Sequence, residues 1–184
     1  PYSWSLRSTP LGRAVVVSSL SICESVKLFG WFSTKNFSML SMLPLLACVV
    51  PVYNGITLES YPLTKKSTFI WKTMSEQFTK LNAVDKEALI RLGYNEIRVV
   101  QLLYQQGSSV QKRSGTTREQ ELQMYERVLN TLLLFDAIKD GKSKRNRICR
   151  RWDITDQQLG EAQRESVKMC GRVRTFCKST NSTC

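Results

Sequence analysis

The sequence predicts a mostly α-helical, multi-helix bundle, and three observations carry that expectation. Apolar residues recur at spacings of three and four along most of the chain, cap and stop residues stand at the ends of those stretches, and strand signals are few, Tyr2 to Leu6 being the best candidate. A chain of 184 residues with 42% apolar content can enclose one good hydrophobic core or two small ones, so disorder and a fibrous repeat are excluded as the expected class.

Each element follows from its own signals. Thr9-Pro10 places a cap and a helix-starting proline before Leu11 to Leu20, and Ser21 with Glu24 fits a capping box that opens a second helix. Asn36 opens a helix to about Val50, kinked or delayed by Pro44 and stopped by Pro51. Ser67 to Leu81 carries Phe69, Ile70, Met74 and Phe78 on an amphipathic face, and Asn82 to Leu92 ends at Gly93. Asn95 to Gln106 reads as another helix, with Ile97, Val100, Leu103 and Tyr104 inward. A polar loop, expected to be mobile, covers Gly107 to Thr116 and includes Lys112 and Arg113. Thr117 and Gln120 then cap a long helix to about Lys139, whose core face is Leu122, Tyr125, Leu129, Leu132 and Leu133, and Gly141 stops it. The last helix runs from a cap at Thr155 to about Lys178, with the ladder Leu159, Ala162, Ser166, Met169, Val173 and Phe176.

Composition narrows the chemistry. The formal net charge is +12 and there is no histidine, which removes Ser-His-Asp and Cys-His hydrolases, HExxH metalloproteases and most zinc sites, because each needs an imidazole. The excess charge is uneven: seven basic and two acidic residues in 1–75, nine of each in 76–140, and eleven against four in 141–184. The basic end therefore faces an anionic partner, nucleic acid or an acidic membrane surface. Six cysteines at 23, 48, 149, 170, 177 and 184 form no CxxC pair and no regular framework, so reduced, intracellular thiols are expected. The sequons at Asn36 and Asn181 are read as chance triplets on that account. The longest apolar run, Met39 to Val52, covers 14 residues where a membrane span needs roughly 20, and reads as a buried helix. The chain opens on Pro1-Tyr2 and is read as a piece of something longer.

The strongest binding signal lies after Gly141. Lys144, Arg145, Arg147, Arg150 and Arg151 follow one another with no acid between, and Arg164, Lys168 and Arg172 step by four along one face of the last helix. Such cations neutralise phosphates and release counterions, and a row of them on a rigid helix can track a strand's backbone. Residues 147–152, the turn Asp153-Ile154-Thr155 and the last helix also fit a helix-turn-helix, which leaves a duplex reader open; a solvated basic face on a structural or protein-interaction bundle stays open as well. Trp152 at the junction is read first as a packing anchor and second as a base-stacking ring. Gly141-Lys142-Ser143 resembles the end of a P-loop, but Asp136 stands where GxxxxGK(S/T) needs its first glycine, and a helix precedes it. No paired carboxylates and no partnered nucleophile are found, so no catalytic residue is assigned.

The order of these signals resembles a known family. Thr9-Pro10-Leu11-Gly12-Arg13-Ala14-Val15-Val16-Val17-Ser18-Ser19-Leu20-Ser21 closely resembles the TPLGRAVVxSSLS stretch that closes the winged helix in the helicase region of DNA polymerase theta and its helicase-only relatives, which are Ski2-like superfamily 2 DNA helicases. Leu43 to Leu46 through Val50 to Tyr53, then Phe78 to Leu81 with Leu92-Gly93, then Leu159 to Met169 with Gly171, Val173, Phe176 and Cys177, are similar to later blocks of that family in the same order. The resemblance implies residues 1–20 as the end of a winged helix, 21–178 as a helical ratchet domain and 179–184 as a tail. It implies that residues 156–178 form the ratchet helix lining a channel for single-stranded DNA. It also implies a role in DNA repair and a nuclear location. ATP and magnesium would belong to motor domains of the same polypeptide, leaving this chain without cofactor, activity, membrane contact or small-molecule substrate. The family's Arg-Gly start is Asp156-Gln157 here, its His is Pro44 and its Phe is Met169, so the expected contacts fall to Arg164, Lys168 and Arg172 with the preceding basic run.

Overall fold

The computed structural model describes residues 9–33, 43, 46, 47, 50, 65–104, 115–141 and 144–180. They form eight helices and, among the described residues, no strand: α1 Pro10–Ser18, α2 Ile22–Ser33, α3 Lys65–Thr79, α4 Ala83–Arg91, α5 Glu96–Tyr104, α6 Gly115–Asp140, α7 Arg145–Trp152 and α8 Asp156–Thr180. The protein is thus mostly α-helical, as its periodicity predicts. The expected strand at Tyr2 to Leu6, both sequons and most of the expected Asn36 to Val50 helix and Gly107 to Thr116 loop lie outside the described residues. Leu43, Leu46 and Ala47 are helical. Gly115 and Thr116, expected in the loop, already belong to α6.

Helix ends follow local chemistry closely. Thr9 Oγ1 accepts from the Gly12 N–H at 3.0 Å, with Pro10 in the first turn. At α2, Ser21 Oγ accepts from the Glu24 N–H at 3.2 Å while the Glu24 carboxylate accepts from the Ser21 N–H at 3.0 Å. Asn82 Oδ1 accepts from the Asp85 N–H at 2.8 Å, and Asn95 Oδ1 from the Arg98 N–H at 3.0 Å. Gly93 and Gly141 end α4 and α6 at φ +104° and +69°, where a Cβ would be strained.

The chain divides into two compact units, Pro1–Ser38 with Val167–Cys184, and Met39–Ser166. The boundary between the units falls inside α8; a helix of 25 residues is about 37 Å long, more than one small core covers. In the larger unit, α3 touches α5, α6 and α7, and α6 packs against α7. Residues 128 to 135 of α6 are buried without a break, which makes it the central rod. Around it Trp71 and Tyr125 meet edge to face at 5.0 Å between ring centres, and Phe78 lies 4.2 Å from Tyr94. In the smaller unit the buried side chains include Ala14, Leu20, Leu28, Met169, Val173, Phe176 and Cys177.

Three expectations are corrected. On α5 the buried residue is Val99, with Leu102 and Leu103 partly covered, whereas Ile97, Val100 and Tyr104 are exposed at 72%, 43% and 81%. The helix carries two apolar stripes, and its rotation is set by polar ties to α6: Arg98 Nε donates to Glu121 Oε1 at 2.8 Å and Tyr125 Oη to the Asn95 carbonyl at 3.4 Å. On α3, Phe69 is exposed and Trp71 fully buried in its place, beside Ile70, Met74 and Phe78. Finally, Cys177 is disulfide-bonded, while Cys23, Cys149 and Cys170 are free. Which thiols meet depends on the fold, and irregular spacing does not reveal it.

Leu132→Ala on α6 is expected to cost about 2–5 kcal/mol in chemical denaturation, and Ile97→Ala on the exposed stripe of α5 no more than about 0.5 kcal/mol. Burial pushes the Tyr125 phenol up to about 12 and raises Tyr94 as well. An unfolded chain ionises its tyrosines near 10 and so releases these protons first; stability should be whole below pH 10 and fall steadily between about 10 and 12, as denaturation midpoints against pH would record.

Candidate nucleic-acid interface

The basic segment folds as a short helix, a three-residue turn and the start of α8. In α7, Ile148 and Trp152 lie one turn apart and are buried, while Asn146, Arg147 and Arg150 on the other sides are exposed. Trp152 is the anchor: its indole N–H donates to Asp136 Oδ2 at 2.9 Å, and Arg151 Nη1 donates to the same oxygen at 2.9 Å. Arg151 also reaches Asp140 at 3.5 Å, and its backbone carbonyl accepts from Thr73 Oγ1 at 3.5 Å. The two carboxylates of the α6 terminus therefore hold α7 by side chains that the sequence presents as part of a cationic run. The ring of Trp152 faces the core and is not available for stacking on a base.

The turn is closed from both sides. Asp153 adopts a left-handed conformation at φ 49°, its N–H and that of Ile154 both directed to the Cys149 carbonyl, and Ile154 joins the core. Thr155 Oγ1 accepts from the Gln158 N–H at 3.1 Å while Gln158 Oε1 accepts from the Thr155 N–H at 2.9 Å, the expected cap in reciprocal form. Every member of the predicted ladder on α8 is buried: Leu159, Ala162 and Ser166 in the larger unit, Met169, Val173 and Phe176 in the smaller. Ser166 satisfies its hydroxyl on the Ala162 carbonyl at 2.7 Å, which lets a polar residue fill a core position.

The eight cations named from the sequence fall into different settings. Arg145 is tied to Asp156 and Gln163, Arg151 to Asp136 and Asp140, and Lys144 lies 3.7 Å from Asp140. Lys144 is half exposed, and a pair that long at the surface contributes little. Arg147, Arg150, Arg164 and Arg172 are exposed and form no ion pair with any described residue. Lys168 is exposed but has an interaction within the chain. Arg147, Arg150 and Arg164 belong to the larger unit, Lys168 and Arg172 to the smaller, which also carries exposed Arg174 and Lys178 on α8. Sequence reasoning missed Asp136 as a structural acceptor; the signal was an acid interrupting the apolar run Leu132 to Ala137 near a helix end, with a tryptophan nearby in need of a partner for its N–H.

Burial, with the nearby Asp156 charge, pushes the Cys149 thiol up and keeps it protonated. Among the described residues no group of three or more Cys, Asp or Glu side chains gathers to hold a metal ion, and no helix is long and apolar enough to cross a membrane. No protein family's sequence profile matches the chain, and no curated protein matches it.

Removing the shared acceptor should be costly. Asp136→Ala leaves a fully buried indole N–H without a partner and is expected to destabilise by about 1–3 kcal/mol in urea denaturation. Arg147→Ala, at an exposed position with no ion pair among the described residues, should change stability by no more than about 0.5 kcal/mol.

Proposed function

We propose that this chain is a non-catalytic, single-stranded DNA-binding accessory domain of a theta-type, ATP-dependent DNA helicase acting in DNA repair, and that it guides the moving strand by phosphate contacts. The observation that carries the reading is the set of open arginines in the larger unit. In the larger unit the start of α8 buries Leu159, Ala162 and Ser166, while Arg164 stands exposed without an ion partner among the described residues. Arg147 and Arg150 on α7 extend the same charge. Open cations on two adjoining helices can engage different phosphates of one strand.

The sequence blocks support the same reading. The stretch Thr9 to Ser21 that resembles the end of the family's winged helix coincides with α1, its cap and the cap of α2. The block that resembles the ratchet helix coincides with α8. Met169, standing where the family has a ring, is buried, so binding rests on the cations and not on stacking. Motor domains of the same polypeptide would supply ATP, magnesium and motion, and a nuclear location follows from the same reading. A second reading, a freestanding duplex binder, draws on the three-residue turn between α7 and α8.

Fluorescence anisotropy of a labelled oligothymidylate at two salt concentrations tests the proposal. Affinity should fall with salt at a log–log slope of about −0.7 per phosphate neutralised, and Arg147→Glu with Arg164→Glu should abolish most of it. Binding that ignores salt, or that survives the double reversal, removes the proposed role. Preferential competition by duplex over single strand would favour the second reading.

A further inference from the structure

We infer that Arg145 does not contact nucleic acid but is the positioning residue of the interface, and that Gly160 is the vacancy that admits it; this rests on the proposed single-strand binding. The two helices are joined by only three residues, and Arg145 lies nine residues before Ile154 while Gln163 lies nine after it. A side-chain contact between those two ties the start of α7 to the early turns of α8 across the turn. The guanidinium makes the contact at three points: Nε to the Asp156 carboxylate, Nη1 to Gln163 Oε1 at 2.9 Å, and Nη2 to the Asp156 carbonyl at 3.0 Å. A planar fork that spends three donors in fixed directions sets an angle, which a flexible ammonium would not. It also crosses α8 directly over Gly160, where a Cβ would lie 3.2 Å from Nη2.

The neighbours of this latch are the candidate phosphate ligands. Arg147 follows Arg145 by two residues and Arg164 follows Gln163 by one, so the latch governs the separation between the open cations of α7 and that of α8. A strand can engage both arms together only while that separation matches its phosphates. Arg145 itself spends three of its five N–H donors on Asp156 and Gln163, so the plane of its guanidinium is set from within the chain.

The test compares two ways of opening the latch in the full chain. Arg145→Gln removes the fork, and Gly160→Leu displaces it without changing any charge while suiting a helix better than glycine does. With labelled oligothymidylate, Arg164→Gln in the otherwise native chain should reduce the salt slope by about 0.7, one phosphate contact. In the Arg145→Gln background the same change should have less than half that effect, because Arg164 is no longer held in register. Gly160→Leu should flatten the slope by a similar amount although no cation is lost, with circular dichroism showing an intact helical fold. Full additivity of Arg145→Gln and Arg164→Gln, or a Gly160→Leu slope equal to the native one, overturns the inference while leaving single-strand binding in place. A native chain that does not bind oligothymidylate at all overturns both.

Discussion

A single carboxylate oxygen organises the basic end of the larger unit. Asp136 Oδ2, close to the end of the central helix, accepts at 2.9 Å from both the Trp152 indole and the Arg151 guanidinium. A buried tryptophan is better stabilised when its N–H keeps a partner, and a mostly covered carboxylate when a charge beside it offsets its own. Each of the three groups meets a need of the other two. With Trp152 seated in the core, α7 has no rotational freedom left, and Arg147 and Arg150 necessarily face outward.

The positive charge of the chain therefore does two kinds of work. Arg145 and Arg151 hold helices together through acids and amides inside the chain, and Arg98 does the same for α5 and α6. Those pairs, at about a fifth to a third exposure for the arginines, are sheltered enough to be specific in geometry. Arg147, Arg150 and Arg164 have no ion pair among the described residues, and their desolvation by an anion costs little because guanidinium is weakly hydrated. A cluster that looks uniform in the sequence is thus split by the fold into internal ties and a smaller set that can face a polyanion.

Much of the architecture was legible because it is decided locally. Caps at Thr9, Ser21, Asn82, Asn95 and Thr155 need only a side chain within three residues of an open amide, and the sequence contains both partners. The ladder of α8 was legible because that helix has one dominant apolar stripe, and the core face of α6 because its middle is buried all round, so that any apolar face named there is covered. On α5 two stripes compete, and the choice between them comes from Glu121 and Tyr125, more than twenty residues away. Phe69 and Trp71 were misassigned for the same reason, since period alone does not select between neighbouring faces of α3. The cations were found as a group, but their division was not, because Asp136 and Asp156 become partners only when α6, α7 and α8 are assembled. The oxidised state of Cys177 was hidden in the same way.

Arginine footprinting is the most direct measure of whether a strand occupies the open face. Phenylglyoxal modification, mapped by mass spectrometry with and without saturating oligothymidylate, reports each guanidinium separately. Arg147, Arg150 and Arg164 of the larger unit should lose reactivity when the strand is present, while Arg91, half exposed beside Glu87 on α4, keeps its own. Unchanged reactivity at those three positions, with the oligonucleotide demonstrably bound, would contradict the account.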